Sequence, residues 1–158
     1  MCIRDSPKNF SLQLSTVNDG DIIIDNVEGS HELSNVNGDI TATKISGSVM
    51  ATTVNGDINV NMNSVAADSP LAFTNLNGDI MIALPSTAKF NVQAASENGD
   101  IYSDFEVKAD QSGKKTSTSK VNGEHKISKL GGVSFKINNG GPDMMITSMN
   151  GDIIIKKL

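Results

Sequence analysis

Six aspartates recur at one position of a repeated tetrapeptide, Asn-Gly-Asp-Ile, and carry the clearest chemical potential of this chain. They are Asp21, Asp39, Asp57, Asp79, Asp100 and Asp152. If the repeats stack in register, neighbouring carboxylates would lie about 4.8 Å apart. Carboxylate oxygens are ligands that Ca²⁺ accepts, so this aspartate column is a candidate calcium site. The alternative is that each carboxylate accepts a hydrogen bond from a turn N–H and points toward solvent.

The second interpretation fits the repeat better. Calcium-binding nonapeptides of the type Gly-Gly-x-Gly-x-Asp share a nine-residue step with this chain, but their double glycine is not met here. We therefore predict that the aspartates bond turn N–H groups, and that the chain holds no metal and no cofactor.

The two histidines of the sequence give little indication of catalysis. His31 follows a turn, and His125 stands where a decayed repeat, Asn122-Gly123-Glu124, would have isoleucine. We expect a surface or structural role for both. The sequence contains no Gly-x-Ser-x-Gly, His-Glu-x-x-His or P-loop motif. We predict no catalytic residues and a protein that is not an enzyme.

The turns that position these residues recur at a regular step. From Gly20 to Gly56 a glycine follows every nine residues, and full Asn-Gly-Asp-Ile copies fall at alternate steps. Each unit of eighteen residues thus contains a turn, a strand, a second turn and a strand, which is typical of a stacked repeat. Asparagines precede the glycines and are expected to bond along the stack: Asn18, Asn37, Asn55, Asn77, Asn98 and Asn150.

Between the turns, apolar and polar residues alternate, as in Ile58, Val60 and Met62. A period of two predicts half-buried β-strands. Asn-Gly is a strong hairpin signal, which favours an antiparallel β-sandwich. However, a two-residue hairpin at Asn37-Gly38 would set Val36 opposite Asp39, a mismatch in polarity. We therefore predict an all-β fold, a right-handed parallel β-solenoid of about seven coils, with the antiparallel β-sandwich as the alternative.

The solenoid makes a prediction about side-chain faces. If the chain bends around each Asn-Gly-Asp, the apolar residues on both sides of the corner point inward. The pairs are Val36/Ile40, Val54/Ile58, Leu76/Ile80 and Met149/Ile153. In this arrangement Ile58 is buried between Ile40 and Ile80.

Composition limits the classes of function. At 158 residues the chain has the length of one domain, with 4% aromatic residues and no tryptophan, so the core is expected to be thin and aliphatic. The net charge of −5 makes nucleic acid a poor partner, because phosphate binding needs a basic surface. The sequence contains no run of eighteen apolar residues, so it predicts no transmembrane segment.

The domain boundaries follow the repeat. Residues 1–6 lack it and resemble the translation of a sequencing adaptor, so we predict a non-native leader that includes the only cysteine, Cys2. Residues 7–158 are predicted to form one β-solenoid domain. Two polar stretches lengthen the repeat and predict loops, near 63–70 and near 109–120.

An ordered set of motifs accompanies the repeat. Ile82-Ala83-Leu84-Pro85 leads into a strand ending near Val92, and Asn139-Gly140-Gly141-Pro142 precedes the closing Asn150-Gly151-Asp152-Ile153. This set resembles a bacterial adhesin family of otherwise unknown function with β-strand repeats. The resemblance covers almost everything after residue 10.

The resemblance implies a parallel β-solenoid without known catalytic residues, exported to the cell surface or periplasm. The function it implies is that of a non-enzymatic adhesin or surface scaffold with an envelope partner. The alternative is an envelope ligand-binding or sensor module that recognises peptide, glycan or a cell-wall component.

Overall fold

The computed structural model describes residues 2–3, 10–18, 20–65, 68–106, 108–109, 117–121, 124–128 and 132–158. Within these ranges the chain forms β-strands joined by turns, and no helix is present in the described part. The strands are β1 (Cys2–Ile3), β2 (Leu12–Thr16), β3 (Ile22–Asp25), β4 (Glu28–Asn37), β5 (Ile40–Asn55), β6 (Ile58–Ser64), β7 (Leu71–Asn77), β8 (Ile80–Leu84), β9 (Phe90–Ser96), β10 (Ile101–Ser103), β11 (Lys108–Ala109), β12 (Ser117–Val121), β13 (Glu124–Ser128), β14 (Val133–Ile137), β15 (Asp143–Asn150) and β16 (Ile153–Lys157).

The strands form two layers around one core. Strands that precede a corner form the front layer together with the additional strands β14 and β11, in the spatial order β2, β4, the last part of β5, β7, β15, β9, β14 and β11. Strands that follow a corner form the back layer together with the additional strands β1, β13 and β12, in the order β1, β3, the first part of β5, β6, β8, β16, β10, β13 and β12.

One coil consists of a front strand, its corner and a back strand, and each coil is named here by its corner glycine. Equivalent strands of neighbouring coils pair in parallel, so that Ile40 lies beside Ile58, and Ile58 beside Ile80. The corner therefore bends the chain from one layer to the other instead of closing a hairpin. This confirms the predicted all-β, solenoid-like fold and its parallel pairing across these coils.

The spatial order of the coils departs from their order in the chain. The Gly20, Gly38, Gly56 and Gly78 coils stack in sequence, but the next position is taken by the C-terminal Gly151 coil. The Gly99 coil lies beyond it, because β9 pairs with β15 and β10 pairs with β16. The Gly151 coil is thus inserted between two coils that precede it in the chain.

Antiparallel strands follow the Gly99 coil at this end of the stack. In the front layer β14 pairs antiparallel with β9, and in the back layer β13 pairs antiparallel with β10. The strand orientation is therefore mixed, which the purely parallel solenoid prediction did not include.

Side chains that alternate inward fill the core with mostly aliphatic columns. Four phenylalanines are also fully buried, so the core is less purely aliphatic than the composition predicts: Phe73, Phe90, Phe105 and Phe135. Ile40, Ile58 and Ile80 are each 0% exposed, as predicted for Ile58 between its two neighbours. At about 25 cal/mol per Å² of apolar surface, such columns are the main favourable term of the fold. Asn59 lies on the outer side of the same strand and is half-buried.

The predicted inward position of the residue before each corner asparagine is wrong. Val36 and Val54 are only half-buried, and Leu76 and Met149 are 38% and 41% exposed. The preceding residue points inward instead, and it is polar in each case. In three of these coils it donates to the corner glycine carbonyl of the neighbouring coil: Asn35 to Gly20, Thr53 to Gly38 and Asn75 to Gly56. A buried carbonyl needs a donor, and this need outweighs the apolar pattern.

The predicted boundaries fall partly outside the described residues. Cys2–Ile3 pair with β3, while residues 1 and 4–6 of the predicted leader lie outside them. Of the loop predicted near 63–70, residues 63–64 belong to β6, and residues 66–67 are not described. Of the loop predicted near 109–120, Ala109 ends β11 and residues 117–120 belong to β12, while residues 110–116 lie outside the described part.

Candidate functional site

The corner asparagines form a ladder along the stack. Each side-chain amide donates to the side-chain oxygen of the neighbouring asparagine at 2.9 Å, in the order Asn37, Asn55, Asn77, Asn150 and Asn98. At the other end Asn37 Nδ2 donates to the backbone oxygen of Val17 at 3.3 Å. The predicted bonding along the stack is therefore present for five of the six asparagines, with the Val17 carbonyl in place of the predicted Asn18, and its order reproduces the inserted Gly151 coil.

The aspartate column forms a second ladder beside the first. Oδ1 of each aspartate accepts a hydrogen bond from the backbone N–H of the next aspartate at 2.8–3.0 Å, in the order Asp21, Asp39, Asp57, Asp79, Asp152 and Asp100. The predicted bond to a turn N–H is thus present, with the donor in the neighbouring coil. Among the described residues, no three His, Cys, Asp or Glu are grouped so that they could hold a metal ion.

Asp100 ends this ladder with a different set of partners. Its Oδ2 lies 2.7 Å from Lys126 Nζ and accepts a hydrogen bond from the Tyr102 hydroxyl at 3.3 Å. Lys126 Nζ also lies 5.6 Å from the centre of the Tyr102 ring. The hydrogen bond to Asp100 raises the pKa of Lys126 above its usual value. The cluster closes the ladder by pairing its last carboxylate with the half-buried Lys126.

His31 belongs to the core. Its side chain is 3% exposed, between register partners Leu12 and Val49, and neither ring nitrogen has a hydrogen-bond partner among the described residues. Burial lowers the pKa of His31, since the charged imidazolium would lose its hydration. His31 is thus a neutral structural residue. The side chain of His125, in β13, lies outside the described residues.

The outer side of the front layer carries an uncharged surface built by three neighbouring coils. Its nine residues, named here the outer patch, stand in three columns: Met50, Ala72 and Met145; Thr52, Thr74 and Thr147; Val54, Leu76 and Met149. Met50 and Met145 are 52% and 56% exposed, which is high for side chains of this type.

The outer patch is contiguous and uncharged but of modest area. Three strands at 4.8 Å and five residues at 3.3 Å give roughly 240 Å², which exposed Val17 extends along the third column. This is below the about 300–600 Å² of the largest apolar patch on a typical monomer, so the case for an interaction site rests on its exposed methionines and not on its area. Glu32 lies beside Met50 at one end of the patch, and exposed Glu97 precedes the corner of the Gly99 coil at the other. An uncharged centre with a polar rim is the usual anatomy of a protein interface.

A groove of about 550 Å³ adjoins the outer patch where the front strands begin. It shares Met50 and Ala72 with the patch, and its polar wall includes Gln13 Nε2, which donates to Glu32 Oε2 at 3.0 Å. Ser48 Oγ donates to Ser30 Oγ at 2.9 Å along the same wall. Groove and patch together form one continuous surface that could contact a partner.

Sequence reasoning did not identify the outer patch. The apolar residues before the corners were assigned to the core, and the threonines are far apart in sequence. A signal was present in Met144-Met145-Ile146, where three consecutive apolar residues interrupt the alternation of an exposed strand. Only the insertion of β15 beside β7 brings Met145 and Thr147 next to Ala72 and Thr74.

The sequence profile of the family described as Toastrack DUF4097 matches residues 8–156. No curated protein matches the chain.

Among solved structures, the fold is similar to the crystal structure of "a putative cell adhesion protein from Clostridium sporogenes ATCC 15579". The TM-score is 0.50 and the sequence identity 15%, over 84% of this chain and 57% of that chain. At this identity the similarity concerns the fold alone, and the chain spans little more than half of that protein's length.

Proposed function

The chain belongs to the Toastrack DUF4097 family, and on this basis we propose that it is a non-enzymatic bacterial envelope module, an adhesin or surface scaffold. The motif set that resembles a bacterial adhesin family supports the proposal, as does the fold similar to that of a protein described as "a putative cell adhesion protein". The proposal includes export to the cell surface or periplasm and a right-handed winding of the stacked coils. The described part of the chain has no helix long and apolar enough to cross a membrane.

The observation that carries the proposal is the outer patch. Its most exposed members, Met50 and Met145, lie in one column on either side of Ala72, on a rigid front layer with parallel pairing on both sides of β7. Methionine is flexible and polarizable, so it adapts to different partner surfaces. A flat, uncharged face with adaptable side chains suits contact with another protein at the envelope.

The acids of the repeat support a structural role over catalysis. The five aspartates that precede Asp100 in the ladder each give one oxygen to a backbone N–H of the neighbouring coil. Asp100 is bound by Lys126 and Tyr102. These carboxylates hold coils together.

The groove favours the alternative function, a ligand-binding module. Its polar wall, with Gln13, Glu32 and paired serines, faces apolar residues that include Met50. Such a mixed lining suits a short peptide or a glycan chain more than a flat protein surface.

Display of the chain on a heterologous bacterial cell would test the proposal. Cell-to-cell or cell-to-surface attachment should fall about thirtyfold for Met145→Glu, since loss of one central contact costs about 2 kcal/mol. Asn61→Glu is the matched control, because this residue lies on the outer side of the back layer. Equal attachment by the two variants would refute the outer patch as the binding surface. Attachment lost in Ser11→Trp, which narrows the groove, but kept in Met145→Glu would favour the ligand-binding alternative.

A further inference from the structure

The Gly151 coil fills a slot that lies between other parts of the same chain. On one side the slot is lined by β7 and β8, and on the other by β9 and β10. All four strands precede the Gly151 coil in the chain. The coil that completes the middle of the stack is therefore synthesised after both of its neighbours.

The contacts in the slot are those of the repeat. Asn150 Nδ2 donates to Asn77 Oδ1 at 2.9 Å, and Asn98 Nδ2 donates to Asn150 Oδ1 at the same distance. The N–H of Asp152 donates to Asp79, and the N–H of Asp100 donates to Asp152, each at 2.8 Å. The coil adds four fully buried side chains to the core: Met144, Ile146, Ile153 and Ile155. These contacts depend on the sequences of the coil and the slot, and not on whether the two belong to the same chain.

The segment 138–142 connects the coil to the rest of the chain. It carries the chain from β14, on one side of β9, to β15, on the other. Asn138, Asn139 and Gly140 all have positive φ, of 47°, 72° and 80°. Asn138 Nδ2 holds this turn by donating to the carbonyls of Ser86 and Ala88, both at 2.9 Å.

The connection is longer than the closed form requires. Ile137 and Asp143 are separated by two strand spacings, about 10 Å, whereas six peptide units reach about 20 Å when extended. Three consecutive left-handed residues would also relax in an extended chain. The segment can therefore act as a hinge that directs β15 and β16 away from their own slot.

We propose that the Gly151 coil also completes the slot of a second copy of this chain, which gives reciprocal exchanged dimers. A second copy fits the slot because its own Gly151 coil carries the same ladder asparagine and aspartate and the same four apolar side chains as the coil that it replaces. Exchange keeps every contact of the slot and changes only the hinge, which is the general condition for domain swapping. It would join copies of a surface module without a dedicated dimer interface.

Cysteine pairs across the slot test the proposal in the full chain. In a Cys2→Ser background, Ala83→Cys and Lys156→Cys are placed in separate chains with different affinity tags and co-expressed. These positions are register partners on the back layer, remote from the outer patch, and neighbouring strands lie within the Cα range of a disulfide. A covalent dimer carrying both tags is the expected product of exchange after oxidation. Asn61→Cys with Lys156→Cys is the control, because Asn61 pairs with Ala83 and lies two strands from Lys156.

Exchange predicts at least tenfold more two-tag dimer from the 83/156 pair than from the 61/156 pair. Equal yields from the two pairs, or no two-tag dimer at all, would overturn the proposal. A second register pair on the front layer, Thr74→Cys with Thr147→Cys, gives the same decision if Lys156→Cys does not fold.

Discussion

Replacing His31 by leucine should stabilise the protein and remove part of its sensitivity to acid. His31 lies in a front-layer column whose register neighbours, Leu12 and Val49, are apolar. Both ring nitrogens are buried and lack partners among the described residues. A buried polar group without a hydrogen bond costs about 1–3 kcal/mol, so His31→Leu should raise the free energy of unfolding by about that amount. For a chain of this length, each kcal/mol corresponds to about 2–4 °C in Tm.

The pH dependence gives the sharper readout. Because burial lowers the pKa of His31 in the folded state, protonation favours the unfolded state. The free energy of unfolding is therefore not reduced by His31 above the unfolded pKa of about 6.5. It decreases as the pH falls below that value, with a limiting slope of about 1.4 kcal/mol per pH unit for one proton. Below the folded pKa this loss levels off. His31→Leu should remove this slope.

Urea unfolding between pH 7.5 and 5, followed by circular dichroism, measures both quantities. The control is His125→Gln, which removes the other histidine of the sequence. A His31→Leu variant that is less stable than the parent, or that keeps the parent's slope below pH 6.5, would refute the placement of a neutral, unbonded imidazole in the core.

Three further predictions concern the stack itself. Ile58→Ala should lower the free energy of unfolding by about 2–5 kcal/mol, because it opens a cavity in a fully buried column. Asn59 points outward, so Asn59→Ala should cost less than about 1 kcal/mol. Equal losses of stability in urea titrations would mean that the inward and outward faces of β6 are misassigned. Asp57→Asn keeps an acceptor for the Asp79 N–H, so the variant's Tm should differ little from the parent's. Millimolar Ca²⁺ should leave the parent's Tm unchanged. A rise of the parent's Tm in Ca²⁺ that a chelator reverses, and that is smaller in the variant, would establish a calcium site. Gly56→Ala should lower the free energy of unfolding by more than about 2 kcal/mol in calorimetry, since the new Cβ would collide with the Gly38 carbonyl and Gly56 has a φ of +144°. Gly132→Ala is the control: its Cβ would meet no atom nearer than 3.7 Å, so it should cost about 1 kcal/mol from its positive φ alone. A comparable loss of stability at both glycines would argue against the close approach of the corners.

Much of the fold could be predicted because the sequence repeats its own rules. The alternation around Ile58 indicates strands, and the polarity mismatch at Asn37-Gly38 indicates a corner instead of a hairpin. These are local patterns, and the structure confirms both. The repeated aspartate and asparagine likewise indicate ladders, since identical residues meet when identical coils stack.

The order of the coils could not be predicted in this way. Five of the six corners present the same Asn-Gly-Asp, so no local feature shows that Asn98 bonds to Asn150 instead of Asn77. The outer patch depends on that order, because Thr147 joins Thr74 only through the insertion. The outward position of Leu76 was missed for another reason. Buried Asn75 takes the inner position, where it donates to the Gly56 carbonyl.

Disulfide mapping tests most directly whether the Gly151 coil is inserted between the Gly78 and Gly99 coils. In a Cys2→Ser background, Thr74→Cys is combined with Thr147→Cys in one variant and with Ala95→Cys in another, followed by oxidation and peptide mapping. The structure makes Thr147 the register partner of both Thr74 and Ala95, which are themselves two strands apart. The insertion therefore predicts a disulfide between positions 74 and 147 and none between positions 74 and 95. A stack in simple chain order predicts the reverse, and a disulfide between positions 74 and 95 without one between 74 and 147 would contradict the insertion.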